Sequence, residues 1–146
     1  MTQGAMTILL VEDNPDHAEL AIQGLRSQKL ANTIYHAEDG EEALDFVFRR
    51  GKFADPALAP HPDLILLDLR LPRIDGQEVL KTLKSDDSTK KIPVVVLTTS
   101  EAETDVSEAY EHHANSYMVK PVTFEKFMAL ADAIGFYWLA WNKKPE

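Results

Sequence analysis

Four short apolar runs punctuate the chain: Ile8-Leu9-Leu10-Val11, Leu64-Ile65-Leu66-Leu67, Val94-Val95-Val96-Leu97 and the weaker Tyr117-Met118-Val119. None alternates polar with apolar. Unbroken runs of this length, rich in branched side chains, predict strands buried on both faces, as in a parallel sheet covered by helices. Thr33-Ile34-Tyr35-His36-Ala37 is less apolar and predicts an edge strand.

Between these runs the apolar spacing turns helical. Ala18, Ala21, Ile22 and Leu25 recur at helical steps, and Asn14-Pro15 opens that segment with an N-cap followed by proline at the first helical position. Asp39 stands three residues before Glu42, Asp75 before Glu78 and Ser100 before Glu103, each ahead of an apolar stripe, and each spacing predicts a capping box. A last segment from Thr123 carries Phe124, Phe127, Met128 and Ala131. Strand and helix alternate five times, which predicts an α/β fold with a parallel sheet and helices on both faces. Residues 51–62, with three prolines, read as one long surface loop. No internal repeat or linker interrupts the 146 residues, which read as one domain.

Composition narrows the function. Hydrophobic residues at 45% and charged ones at 27% are ordinary for a globular protein, and the formal net charge of −9 disfavours nucleic-acid phosphates and anionic lipid as partners. The lack of cysteine removes a disulfide framework, a thiolate nucleophile and Cys-ligated metal. No signal-peptide pattern is present, and no apolar run nears the ~20 residues of a membrane span, so the expected setting is the cytoplasm.

Sites in open parallel α/β sheets form beyond the carboxyl ends of the strands. Glu12-Asp13-Asn14 follows the first run and Asp68 follows Leu67; Thr98-Thr99-Ser100 ends the valine run, and Lys120-Pro121 ends the last. Taken singly, Asp13, Asp68 and Thr98 read as cap or turn residues and Lys120 as a solvated charge. Their joint placement at four strand ends points to chemistry instead. Three carboxylates held together repel one another unless a cation binds them, and an all-oxygen donor set favours a hard ion, Mg²⁺. Lys120 and Thr98 would then stabilise charge on a transferring phosphoryl group, while Asp68 attacks phosphorus and becomes an acyl phosphate.

Leu-Val-Glu-Asp-Asn-Pro (10–15), Leu-Leu-Asp-Leu-Arg-Leu-Pro-Arg-Ile-Asp-Gly (66–76), Leu-Thr-Thr-Ser (97–100) and Tyr-Met-Val-Lys-Pro-Val (117–122) resemble the receiver domains of two-component response regulators, from about Met6 to Leu139. The resemblance implies a doubly wound, flavodoxin-like five-stranded sheet in the order 2-1-3-4-5. It implies Glu12 and Asp13 in an acidic metal pocket, Glu12 reaching the ion through water, with Asp68 as phosphoacceptor and the Arg70 carbonyl as a further ligand. Thr98 and Lys120 would contact the phosphoryl group, and Tyr117 would turn into the space that Thr98 vacates. Pro121 would follow a cis peptide bond, and Pro72 and Gly76 would shape the loop after Asp68. Arg70 would tune hydrolysis of the phosphoryl group.

Val-Glu-Asp-Asn-Pro-Asp, Glu-Asp-Gly-Glu-Glu-Ala-Leu-Asp-Phe and Tyr-Trp-Leu are similar to the stand-alone receivers paired with bacterial phytochrome-type sensor kinases. A histidine kinase, in that case a bacteriophytochrome, is the expected donor. The chain is expected to be a signalling switch that catalyses only its own phosphorylation and slow hydrolysis, with no output domain expected after Lys120. His17 departs from a second acid common at its position and reads as a partner-contact difference outside the catalytic set. His36, His61, His112 and His113 likewise read as surface residues.

Residues 134–146 form an expected aromatic extension of the last helix. Leu130, Ile134, Tyr137 and Trp141 make a stripe beside a core stripe ending in Trp138, broader than one sheet face can cover. Homodimerisation through this tail is the expectation, against self-packing, a membrane-interface anchor or another protein partner. Rival readings of the whole chain fit less well. A flavin protein would need a phosphate-cradling loop where Glu12-Asp13 stand, and a nucleotide hydrolase would need a Gly-rich Lys-Ser/Thr loop. An aspartyl-phosphate phosphatase would carry Asp in place of Arg70. A receiver-like module that binds partners without phosphorylation is the remaining alternative.

Overall fold

The computed structural model describes residues 6–27, 32–99 and 102–120, together with Glu125, Ala129, Asp132 and Ala133, which are helical and exposed. Strand β1 (Met6–Val11) leads to α1 (Pro15–Arg26), β2 (Asn32–Ala37) to α2 (Gly40–Phe48), and β3 (Leu64–Leu67) to α3 (Gly76–Ser85). Strand β4 (Val94–Thr98) leads to α4 (Glu103–Glu111), and β5 (Ser116–Val119) completes a five-stranded sheet. All neighbours are parallel and the order is β2-β1-β3-β4-β5. The strand runs predict the parallel α/β sheet, and its flavodoxin-like order is the one the resemblance implies.

The apolar runs divide by parity between two layers. Leu9, Val11, Ile65, Leu67, Val94 and Val96 face α2 and α3, where Phe46, Val47, Val79, Leu80 and Leu83 meet them. Ile8, Leu10, Leu64, Leu66, Val95 and Leu97 face the other way, onto Ala18, Ala21 and Leu25 of α1. Each fully buried aliphatic side chain contributes about 1.5–3 kcal/mol, so the unbroken runs are the energetic centre of the fold.

Caps set where the helices begin. Asn14 accepts from the Asp16 and His17 amides at 2.9 and 3.2 Å, and Pro15 takes the first position. Asp39 accepts from Glu42 N at 2.7 Å, but Glu42 reaches back to Glu38 N at 2.9 Å, so only half of the expected box closes. Asp75 caps α3 through Gln77 N rather than Glu78. The Ser100 box does not form the start of α4: that helix begins after Ala102, whose side chain makes no cap bond, and Ser100 lies outside the described residues.

Loop 51–62 is more structured than its prolines suggest. A 3₁₀ turn (Gly51–Phe53) places Phe53 edge-on to Phe46, which stacks in turn near Tyr35. Ala59 is buried, and Arg49 Nε donates to its carbonyl at 3.1 Å. At the far end of the sheet, Lys84 Nζ donates to the Lys90 and Ile92 carbonyls and to Asn115 Oδ1, at 3.1, 2.7 and 3.0 Å, and the same Asn115 oxygen accepts from Val94 N.

The loop after β3 is stitched to α2. Gly40 N donates to Pro72 O, and Arg73, in the left-handed region at φ 68°, pairs with Asp39 and Glu41. A Cβ on Gly40 would sit 2.0 Å from Ile74 O, so glycine is required for this approach. By contrast, α4 buries only Ala109, while Tyr110 is half exposed.

Candidate functional site

The backbone ladder continues one residue past three strands, and this extension assembles the site. Glu12 N donates to Ala37 O, Asp68 N to Val11 O and Lys120 N to Thr98 O, at 2.9, 3.1 and 2.7 Å. Glu12, Asp68 and Lys120 therefore leave the carboxyl edge of the sheet in register, flanking the point where strand order reverses around β1 and β3. Thr98 ends β4 and is fully buried. The five residues the sequence placed at four strand ends are brought together.

Lys120 Nζ bonds to Asp68 Oδ2 at 2.9 Å and to Glu12 Oε1, with its side chain only 6% exposed. Asp68 Oδ1 accepts from Arg70 N at 3.1 Å, and the Thr98 side chain also bonds the carboxylate. Burial alone would raise the Asp68 pKa, but the Lys120 bond and charge outweigh it and hold the group below its ordinary 3.8. Glu12 goes the other way: burial, with the nearby Asp68 charge, pushes it above 4.5 despite Lys120 and the Asn14 amide. Two buried carboxylates bonded to one ammonium form a single charged cluster rather than a pair of caps.

Carboxylate oxygens of Glu12, Asp13 and Asp68 lie within 4.8 Å of one another, Glu12 and Asp68 buried and Asp13 exposed. The donor set is all oxygen, suited to a hard divalent cation that keeps water on its open side. The exposed Asp13 provides that side. Both Glu12 oxygens already accept hydrogen bonds, from Lys120 and from Asn14 N, which suits contact through water.

Other expected site residues fall less simply. The Arg70 backbone is beside Asp68, but its guanidinium turns away to Asp105 of α4. Tyr117 pairs with Val96 in the ladder and is half-buried against the α2–α3 core. Pro121, Leu130, Ile134, Tyr137, Trp138 and Trp141 lie outside the described residues.

The reading of the histidines needs correction. His17 is no peripheral residue: its Nδ1 lies 3.0 Å from Lys120 Nζ. A signal was available, because His17, Ala21 and Leu25 are spaced by four and share the inward stripe of α1. His36 Nε2 bonds the Glu12 carbonyl at 2.7 Å, and His112 Nδ1 approaches Gln77 Oε1 at 3.4 Å, so neither is a free surface group. His61 and His113 are exposed as expected.

Comparison with known proteins agrees with this geometry. The response regulator receiver domain profile matches residues 8–132. The probable methanogenesis regulatory protein FilR2 of Methanothrix harundinacea is 41% identical over 138 residues, covering 94% of this chain and 86% of its own. The response regulator Rcp1 of Synechocystis is 39% identical over 132 residues, covering 90% and 88%. Among solved structures, the phosphorylated cyanobacterial phytochrome response regulator RcpA matches with a TM-score of 0.90 at 37% identity, covering 98% of this chain and all of its own. The Mn²⁺-bound form of Rcp1 matches with a TM-score of 0.86 at 37% identity, covering 97% and 99%. With a clustered carboxylate set, a lysine delivered from the end of β5 and this fold around them, the chain belongs to the receiver domains of two-component response regulators.

Proposed function

We propose that Asp68 is the phosphoacceptor and that the chain works as a cytoplasmic signalling switch fed by a histidine kinase. The observation that carries this is the contact of Lys120 with Asp68 and Glu12, across 52 and 108 residues of sequence, at a sheet edge where packing alone has no use for three buried charges. In the transfer, an Asp68 oxygen bonds phosphorus as the P–N bond to the donor imidazole breaks, and that imidazole takes up a proton. Lys120 and Thr98 are placed to meet the phosphoryl oxygens as charge shifts onto them.

Glu12, Asp13, Asp68 and the Arg70 carbonyl are the groups that would hold Mg²⁺, which supplies charge neutralisation for the phosphoryl oxygens. The Mn²⁺-bound form of Rcp1 supports a divalent ion here. The names of RcpA and of the bacteriophytochrome response regulator AtBRR, 40% identical to this chain, support a phytochrome-type sensor kinase as donor. Slow self-catalysed hydrolysis resets the switch. Thr98 and Tyr117 carry the change toward α4 and β5, and the aromatic tail around Trp138 and Trp141 joins two copies; sedimentation of wild type against Trp138→Ala/Trp141→Ala tests the last point.

Labelling with acetyl phosphate in Mg²⁺ tests the whole reading. Wild type takes up one phosphoryl group and Asp68→Asn takes up none. A folded wild-type protein that stays unlabelled would leave partner binding without phosphorylation as the function.

A further inference from the structure

An ammonium group has three N–H donors and no acceptor. Lys120 Nζ meets three acceptors from three elements: Asp68 Oδ2 after β3 at 2.9 Å, Glu12 Oε1 after β1, and His17 Nδ1 in the first turn of α1 at 3.0 Å. The donors are thus matched one for one in a nearly closed setting. Because lysine cannot accept, the Nδ1 facing it presents a lone pair, and the ring proton sits on Nε2. The imidazole is fixed at its root as well, since Asn14 caps the His17 amide and Pro15 holds the turn.

Two of these acceptors have other duties. Glu12 and Asp68 belong to the carboxylate set, and Asp68 loses charge at one oxygen when it bonds phosphorus. The third acceptor, His17, lies outside that set. A carboxylate at this place would add a fourth negative group to the pocket, whereas an imidazole restrains the ammonium without adding charge.

We propose that His17 is a positioning residue for phosphoryl transfer, holding Lys120 over Asp68 while the carboxylates turn to the ion and the phosphoryl group. This rests on Asp68 being the phosphoacceptor. One hydrogen bond to a charged group, lost from the transfer step, corresponds to a rate loss of about tenfold.

The test compares His17→Leu with His17→Gln, which restores an acceptor of similar reach. Acetyl-phosphate labelling is followed at saturating Mg²⁺, and Mg²⁺ affinity is measured by calorimetry. The expected result is a rate about tenfold lower in His17→Leu, recovery of most of that loss in His17→Gln, and Mg²⁺ affinity within about twofold of wild type throughout. A wild-type rate in His17→Leu overturns the proposal. So does equal slowing in both variants, which would assign His17 to packing. A second readout covers a misfolded variant: the ¹⁵N-detected ammonium signal of Lys120 persists in wild type and His17→Gln and broadens away in His17→Leu, and an unchanged signal in His17→Leu overturns the contact itself. Failure of the wild type to label Asp68 identifies the phosphoacceptor reading as the one at fault and removes this role with it.

Discussion

Arg70 and Asp105, 35 residues apart, are joined by an ion pair of 2.5 Å between Nη2 and Oδ2 that ties the loop after β3 to the first turns of α4. Arg70 thus touches the site through its backbone, bonded to Asp68, and the neighbouring helix through its side chain. Gln77 adds a bond from α3 to the Asp105 carbonyl at 3.0 Å. Arg70 is expected from the sequence to stand beside the phosphoryl group and tune its hydrolysis; the pair with Asp105 draws the guanidinium aside.

The pair gives a prediction about phosphoryl lifetime. Exposed ion pairs contribute about 0.2–1 kcal/mol, and Arg70 is 63% exposed, so breaking this one barely changes stability. Asp105→Asn frees the guanidinium to cover the phosphoryl group and is expected to lengthen the lifetime several-fold. Arg70→Ala, in a protein whose guanidinium is already held by Asp105, leaves the lifetime near the wild-type value. Decay of labelled protein measures both; an unchanged lifetime in Asp105→Asn would dispose of a role for Arg70 in hydrolysis.

Asp13→Asn separates affinity for the ion from folding. Asp13 is exposed and adds charge to the carboxylate cluster, so removing the charge relieves repulsion while removing a ligand. Calorimetry is expected to give Mg²⁺ binding weaker by about tenfold or more, a loss of at least 1.4 kcal/mol, with no loss of unfolding free energy. Chelation of Mg²⁺ from wild type abolishes acetyl-phosphate labelling in the same way.

Gly76→Ala strikes the phosphoacceptor loop from below. A Cβ there would lie 2.3 Å from Asp68 O and 2.5 Å from Leu69 Cα, both backbone atoms that cannot rotate aside. The start of α3 or the end of β3 must shift, at about 1–3 kcal/mol, and labelling falls with it. Denaturant unfolding alongside labelling checks the pairing of the two effects.

Lys84 gives a pH-dependent prediction away from the site. Burial pushes its ammonium below the ordinary 10.5, so the native state gives up this proton at a lower pH than the unfolded chain. Between the two values the unfolded state binds more protons, and stability from this group rises with pH. Lys84→Met is expected to cost about 1–3 kcal/mol near neutrality, because the Lys90 and Ile92 carbonyls lose a donor. The gap to wild type widens as pH climbs toward 10.5; urea melts over the alkaline range measure it, and a constant gap would deny the shift.

Much of this was legible in the chain because strands buried on both faces leave no alternation to confuse the pattern. The residues after the runs meet at one edge for a geometric reason, since the ladder bonds of Asp68 and Lys120 extend the strands by one position. What the chain hides are contacts between distant helices and loops. Spacing puts His17 on the inward stripe of α1, but it does not name Lys120, 103 residues away, as the partner, and nothing local tells that Arg70 reaches α4. The start of α4 was misplaced because Ser100 and Glu103 have capping-box spacing, yet the turn begins at Ala102 without a side-chain cap. Loop 51–62 concealed its order because the Phe46–Phe53 and Arg49–Ala59 contacts that hold it follow no period.

The stitching of the β3–α3 loop to α2 gives the molecule a stiff flank and a compliant one. On the α2 side, Gly40 lies hard against Ile74, and Arg73 is clasped by two acids. On the α4 side, among the described residues, stand the Arg70–Asp105 pair, the contacts of Gln77 with Asp105 and His112, and a helix with a single buried alanine. Any strain introduced at Asp68 relaxes most cheaply along the second path, so the shape of the domain gives its output a direction before any partner arrives.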